Sequence, residues 1–79
     1  MKVKVIVTLK EGVLDPQGKA IKQTLNGMNF SDVKQVRQGK YFDIELDETD
    51  KEKAKNIAEE ICKKLLTNIV IEDYTINVK

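Results

Sequence analysis

The sequence predicts a small α+β domain built in the order βαββαβ, and three observations carry that prediction. Val3, Val5, Val7 and Leu9 alternate with Lys2, Lys4, Thr8 and Lys10, the two-residue period of a half-buried strand. Ala54, Ile57, Ala58, Ile61 and Leu65 follow the i, i+3, i+4, i+7 rule of a helix with one apolar face. Arg37-Gln38-Gly39-Lys40 lies between two short runs rich in β-branched and aromatic residues, with Gly39 able to supply a positive φ, so it reads as a hairpin turn. Two right-handed βαβ units joined by that hairpin give the ferredoxin-like arrangement, a four-stranded antiparallel sheet with both helices on one face. Strands are expected near 2–9, 33–37, 41–46 and 70–78.

The first connection is the most strongly specified. Gly12 permits a turn closed to other residues. Asp15 has the short acceptor of a helix N-cap, and Pro16 follows at the first helical position, where its missing N–H costs nothing. Ile21, Leu25 and Met28 then form one stripe, and Gly27 is expected to cap the helix end. Phe30 is expected to fold back onto the core. Val33 to Arg37 is short and β-branched and reads as the second strand. In the third, Phe42, Ile44 and Leu46 take one face while Tyr41, Asp43 and Glu45 take the other. Thr49-Asp50-Lys51-Glu52 has capping-box spacing, and the second helix runs from there to about Leu66. Lys51, Lys55, Glu59, Glu60, Lys63 and Lys64 form its solvated face, with Glu59–Lys63 and Glu60–Lys64 at i,i+4. Asn68 ends it. Val70, Tyr74, Ile76 and Val78 alternate in the last strand.

The chain has 79 residues, one domain's worth. A domain this small buries only about 60% of its unfolded surface, so oligomerisation is expected to supplement the core. With one cysteine, Cys62, and no histidine, neither an internal disulfide nor a histidine-bearing metal site can do so. Ile6, Tyr41 and Ile71 fall on the sheet face otherwise left to polar side chains. Either they are scattered surface apolars or they mark a buried oligomer interface. Lys plus Arg number 14 and Asp plus Glu 13, a net charge of +1 that argues against a nucleic-acid partner. Nothing resembles a signal peptide or a membrane span, and the lone cysteine fits a reducing compartment, so a cytoplasmic location is expected.

Catalytic sets are missing. Without histidine no Ser–His or Cys–His pair can form. Cys62 sits beside the core stripe and reads as a packed small hydrophobe. Asp43, Glu45, Asp47, Glu48 and Asp50 read as strand-edge and helix N-terminal charge rather than as a metal cluster. Gly12 and Gly18 are too far apart for a phosphate loop and lack its Lys-Ser/Thr pair. The 38–45 segment lacks the signature of an RNA-binding sheet, and Asp43 and Glu45 would repel phosphates. An ACT-like small-ligand regulatory module shares the strand order and is usually dimeric. Its ligand would bind at the first strand-to-helix loop, between Lys10 and Gly18.

Three separated stretches resemble the PurS family, the small subunit of phosphoribosylformylglycinamidine synthase, over nearly the whole chain. They are LKEGVLDPQGKAI (9–21), Val36-Arg37-Gln38-Gly39-Lys40 leading into Phe42, Ile44 and Leu46, and 58–74 with Cys62, Leu65, Leu66, Asn68, Val70, Ile71 and Glu72 in place. One departure is Ile69, where the family usually has proline after the asparagine, and it bears on how the last strand starts. The resemblance implies a subunit without catalytic residues and without a cofactor of its own. Such a subunit joins a large synthetase, which binds ATP and magnesium, to a glutaminase in de novo purine biosynthesis, and it supports the transfer of ammonia. Self-association, as a dimer or dimer of dimers, is expected on separate grounds, from the small core and the apolar residues on the sheet back. Asp15, Gln17, Arg37 and Lys40 are the expected partner-facing residues, and Ile6, Tyr41 and Ile71 the expected oligomer interface.

Overall fold

The computed structural model describes residues 1–79. Strand β1 (Lys2–Leu9) leads through a loop to helix α1 (Pro16–Gly27). Irregular chain then reaches β2 (Gly39–Glu45), helix α2 (Lys51–Ile61) with a π-helical last turn (Cys62–Leu66), and β3 (Glu72–Val78). The sheet is three-stranded and antiparallel in the order β2-β1-β3, with β1 in the middle. Val5 stands opposite Phe42 on one side and Ile76 on the other.

The expected fourth strand at 33–37 does not form. That stretch is pinned by side chains to the loop after β1 rather than by a strand ladder. The hairpin expected at 37–40 therefore falls away as well. Gly39 is needed for a different reason, because a Cβ there would lie 2.8 Å from the Val7 carbonyl oxygen on the paired strand. The last strand starts two residues later than expected. Asn68 organises a turn in which its carbonyl accepts from the N–H groups of Ile71 and Glu72 and its side chain from that of Val70.

The core consists of Val3, Val5, Val7, Ala54, Ala58 and Cys62, with Phe42, Ile44, Leu46, Leu66, Tyr74, Ile76 and Val78 packed around it. Small side chains at i, i+4 and i+8 of α2 let the helix lie close over the valines of β1. This stripe is rotated from the expected one, and Leu65 is left 80% exposed. The π turn, closed by Thr67 N–H on the Cys62 carbonyl, brings Leu66 to the core instead. Asp50 rather than Thr49 is the N-cap, accepting from Glu52 N–H at 2.9 Å.

Only α2 covers the sheet, so the arrangement with both helices on one face is not formed within this chain. Helix α1 scarcely touches the sheet or α2 and stands out as an arm. The molecule measures 49 × 24 × 14 Å, and its radius of gyration is 16.0 Å, against about 12 Å for a compact chain of this length. Ile21, Met28 and Phe30 are exposed on or just beyond the arm, so Phe30 does not return to the core. The left-handed position at the arm's end belongs to Asn29 (φ 73°), not to Gly27.

Candidate partner-binding surface

The loop between β1 and α1 is held by two charged side chains used entirely on backbone. Gly12 turns the chain with φ 89°. Asp15, extended at the N-cap, spends each carboxylate oxygen separately. Oδ1 accepts from Gly18 N–H at 2.9 Å, and Oδ2 accepts from Gln38 N–H at 2.7 Å, across 23 residues of chain. Only 7% of the residue is exposed. The Gln38 and Gly18 N–H groups, with the nearby Arg37 guanidinium, hold its carboxyl below the ordinary value against the opposing effect of burial. Arg37 reaches in the opposite direction. Nη1 donates to the Val13 carbonyl at 3.0 Å, and Nη2 donates to those of Lys10 at 3.1 Å and Leu9 at 3.4 Å. Together they clasp the 33–38 segment to the base of α1.

Asp15, Gln17 and Lys40 line one shallow hollow of about 200 Å³ over Val7 and Leu9, where Glu72 faces Lys40 at 3.7 Å. Arg37 lines a neighbouring one with Lys19, Lys22 and Lys34. The four residues expected to face partners are thus brought to one end of the sheet. Gln17 and Lys40 are presented outward, whereas the charged groups of Asp15 and Arg37 are committed to the chain's own backbone. No histidine, cysteine or carboxylate cluster there could hold a metal ion.

On the outer face of the sheet Ile6 stands directly opposite Tyr41, at 47% and 56% exposure. Lys4 Nζ lies 6.0 Å above the Tyr41 ring. Ile71 stands just before β3, its carbonyl accepting from Lys10 N–H at the sheet's end. The structure also exposes Leu14, Ile21 and Met28 around the arm and Leu65, Ile69 and Val70 before β3, apolar surface that sequence reasoning had assigned to the core or left aside.

The family model for PurS, phosphoribosylformylglycinamidine (FGAM) synthase, matches residues 2–79. The chain belongs to the PurS family. The PurS subunit of this synthase from Bacillus subtilis is 46% identical over 78 residues, 99% of this chain and 92% of that protein. The crystal structure of Methanocaldococcus jannaschii PurS superposes with a TM-score of 0.91 at 49% identity, covering 99% of this chain and 94% of that one. The structure of PurLQS from Thermotoga maritima contains a chain that matches with a TM-score of 0.88 at 34% identity, covering 96% and 93%. Two of the stretches that carry the PurS resemblance, 9–21 and 36–40, prove to be the two sides of the Asp15–Arg37 clasp. The third supplies Cys62 to the core and Asn68 and Glu72 to the turn before β3. Glu72 Oε1 accepts from Asn68 N–H at 2.7 Å, so this turn closes with isoleucine at 69.

Proposed function

We propose that this chain is the small, non-catalytic subunit of phosphoribosylformylglycinamidine synthase in de novo purine biosynthesis. In this reading it joins an ATP- and magnesium-dependent synthetase subunit to a glutaminase subunit in the cytoplasm. The observation that carries the proposal is the PurS match across residues 2–79. The surface supports it. A compact chain of 9.0 kDa exposes about 4,900 Å², and this one exposes 6067 Å². The excess of roughly 1,200 Å² exceeds the roughly 800 Å² that one partner contributes to a standard interface. Self-association through the arm and through the outer face at Ile6, Tyr41 and Ile71 would bury part of it, as a dimer or dimer of dimers. The partner subunits would cover more, with Gln17 and Lys40 among the side chains they meet.

The chemistry gives such a bridge a purpose. Free ammonia is mostly protonated at neutral pH and is then no nucleophile, so a closed assembly that passes it from glutaminase to synthetase preserves its reactivity. The test is reconstitution with the synthetase and glutaminase subunits. The expected outcome is a single complex by mass and glutamine-dependent turnover that falls to background when this chain is omitted. Full turnover without it would refute the proposal. Binding of a free amino acid by the chain alone at the Lys10–Gly18 loop would replace it with the ACT-like regulatory reading.

A further inference from the structure

We propose that Asp15, Gly18 and Arg37 are positioning residues that aim helix α1. They fix the direction in which the arm leaves the sheet. On the functional reading above, that direction sets the spacing of the surfaces offered to partner subunits.

Three independent contacts meet at this joint. The Asp15 carboxylate ties the first turn of α1, through Gly18 N–H, to the start of β2, through Gln38 N–H. The Arg37 guanidinium spans three carbonyls of the loop that enters α1. Gly18 is buried because the backbone at Val36 lies against it. A Cβ at 18 would collide with the Val36 carbonyl oxygen, stand 2.9 Å from the Val36 carbonyl carbon and 3.0 Å from Asp15 Oδ2. Since α1 scarcely touches the sheet or α2, no extensive packing against either fixes its angle.

The joint can be perturbed selectively. Asn at 15 keeps the Oδ1 acceptor for Gly18 N–H, but its amide nitrogen cannot accept from Gln38 N–H. It therefore preserves the helix cap and breaks the tie to β2. Ala at 18 is a better helix former than glycine yet forces Val36 away. Lys at 37 keeps the charge but cannot span three carbonyls as the planar guanidinium does.

Nitroxide labels at Gln23→Cys on α1 and Lys55→Cys on α2, in a Cys62→Ala chain diluted into unlabelled protein, read the arm's direction within one molecule. Amide exchange at Val5 and Val7 reads the sheet. The expected result is one narrow distance for the parent chain. In Asp15→Asn, Gly18→Ala and Arg37→Lys that distance should broaden or shift, while exchange at Val5 and Val7 rises by no more than the loss of global stability read by denaturation. Reconstituted glutamine-dependent turnover should fall at least several-fold in the same variants. An unchanged distance distribution in Asp15→Asn and Gly18→Ala overturns the positioning role. So does exchange at Val5 and Val7 that rises in all three by more than the loss of global stability accounts for, which would make these residues direct supports of the sheet. A shifted distance with full turnover leaves α1 aimed by the clasp but removes any part of that aim in assembly. Background turnover in the parent complex bears on the functional reading instead.

Discussion

Asp15 divides its carboxylate between a helix cap and a bridge to a distant segment, and this makes its protonation visible. Its folded-state pKa lies below the ordinary value, chiefly through Gln38 and Gly18 N–H. A carboxyl depressed by folding contributes stability above its unfolded pKa and loses it as pH falls through the folded one. Denaturation at a series of pH values should therefore find the gap between the parent chain and Asp15→Asn widest near neutrality. The gap should begin to narrow at about pH 4 and close only as pH falls through the lower folded-state value, and one that stayed constant down to strong acid would contradict this account. Cys62 behaves in the opposite sense. Burial, with a smaller contribution from Glu59, pushes its thiol pKa up, and the residue is fully enclosed. A thiol reagent at pH 8 is expected to label it only as fast as the chain unfolds. Rapid stoichiometric labelling of the folded chain would show the core to be open at that point.

Helix α2 owes its place to the small residues Ala54, Ala58 and Cys62 against Val3, Val5 and Val7. Ala58→Leu adds bulk at a fully buried position between helix and sheet, with an expected cost of about 1–3 kcal/mol in the unfolding free energy from urea denaturation. Leu65→Ala, at an exposed site, should cost less than about 0.5 kcal/mol in the isolated chain. Element positions were largely legible in the sequence. Alternation placed β1 and β3, periodicity placed α2, and Asp15 with Pro16 placed the start of α1. The stripe of α1 was legible too, but Ile21, Leu25 and Met28 read the same whether their own sheet or another molecule covers them. The segment 33–37 was misread because Val33 and Val36 have strand propensity, while its conformation is decided by Asp15 and Arg37 across more than twenty residues. Both residues could be singled out from sequence. Their separate use on backbone could not, because no local pattern announces a contact between 15 and 38 or between 37 and the carbonyls of 9, 10 and 13.

At the scale of the whole molecule, an arm with an exposed apolar stripe is unstable company for water unless something covers it. Light scattering at micromolar concentration should give the mass of a dimer or dimer of dimers. Ile21→Glu and Met28→Glu together should shift that mass downward with the sheet's amide exchange unchanged, since neither residue belongs to the core. A parent chain that stays monomeric would leave the exposed stripe without a self-partner. Ile6→Lys on the outer face separates the two surfaces. If it leaves the mass unaltered, Ile6 takes no part in holding the copies together, and Tyr41 and Ile71 are tested in turn.

The central strand precedes both of its neighbours in the chain. Val3 must wait for Ile44 on one side and Val78 on the other. Until then KVKVIVTL has two bare edges and a strongly strand-forming composition, the profile of an aggregation-prone segment. Pairings this distant are also slow to form, so the vulnerable interval is long on the timescale of folding. Lys2 and Lys4 interrupt the apolar run and then come to rest opposite Glu45 and Asp43 in the finished sheet. They thus serve twice, first as gatekeepers that discourage stray strand pairing in the nascent chain and afterwards as cations set against opposite charge in the register of the outer face.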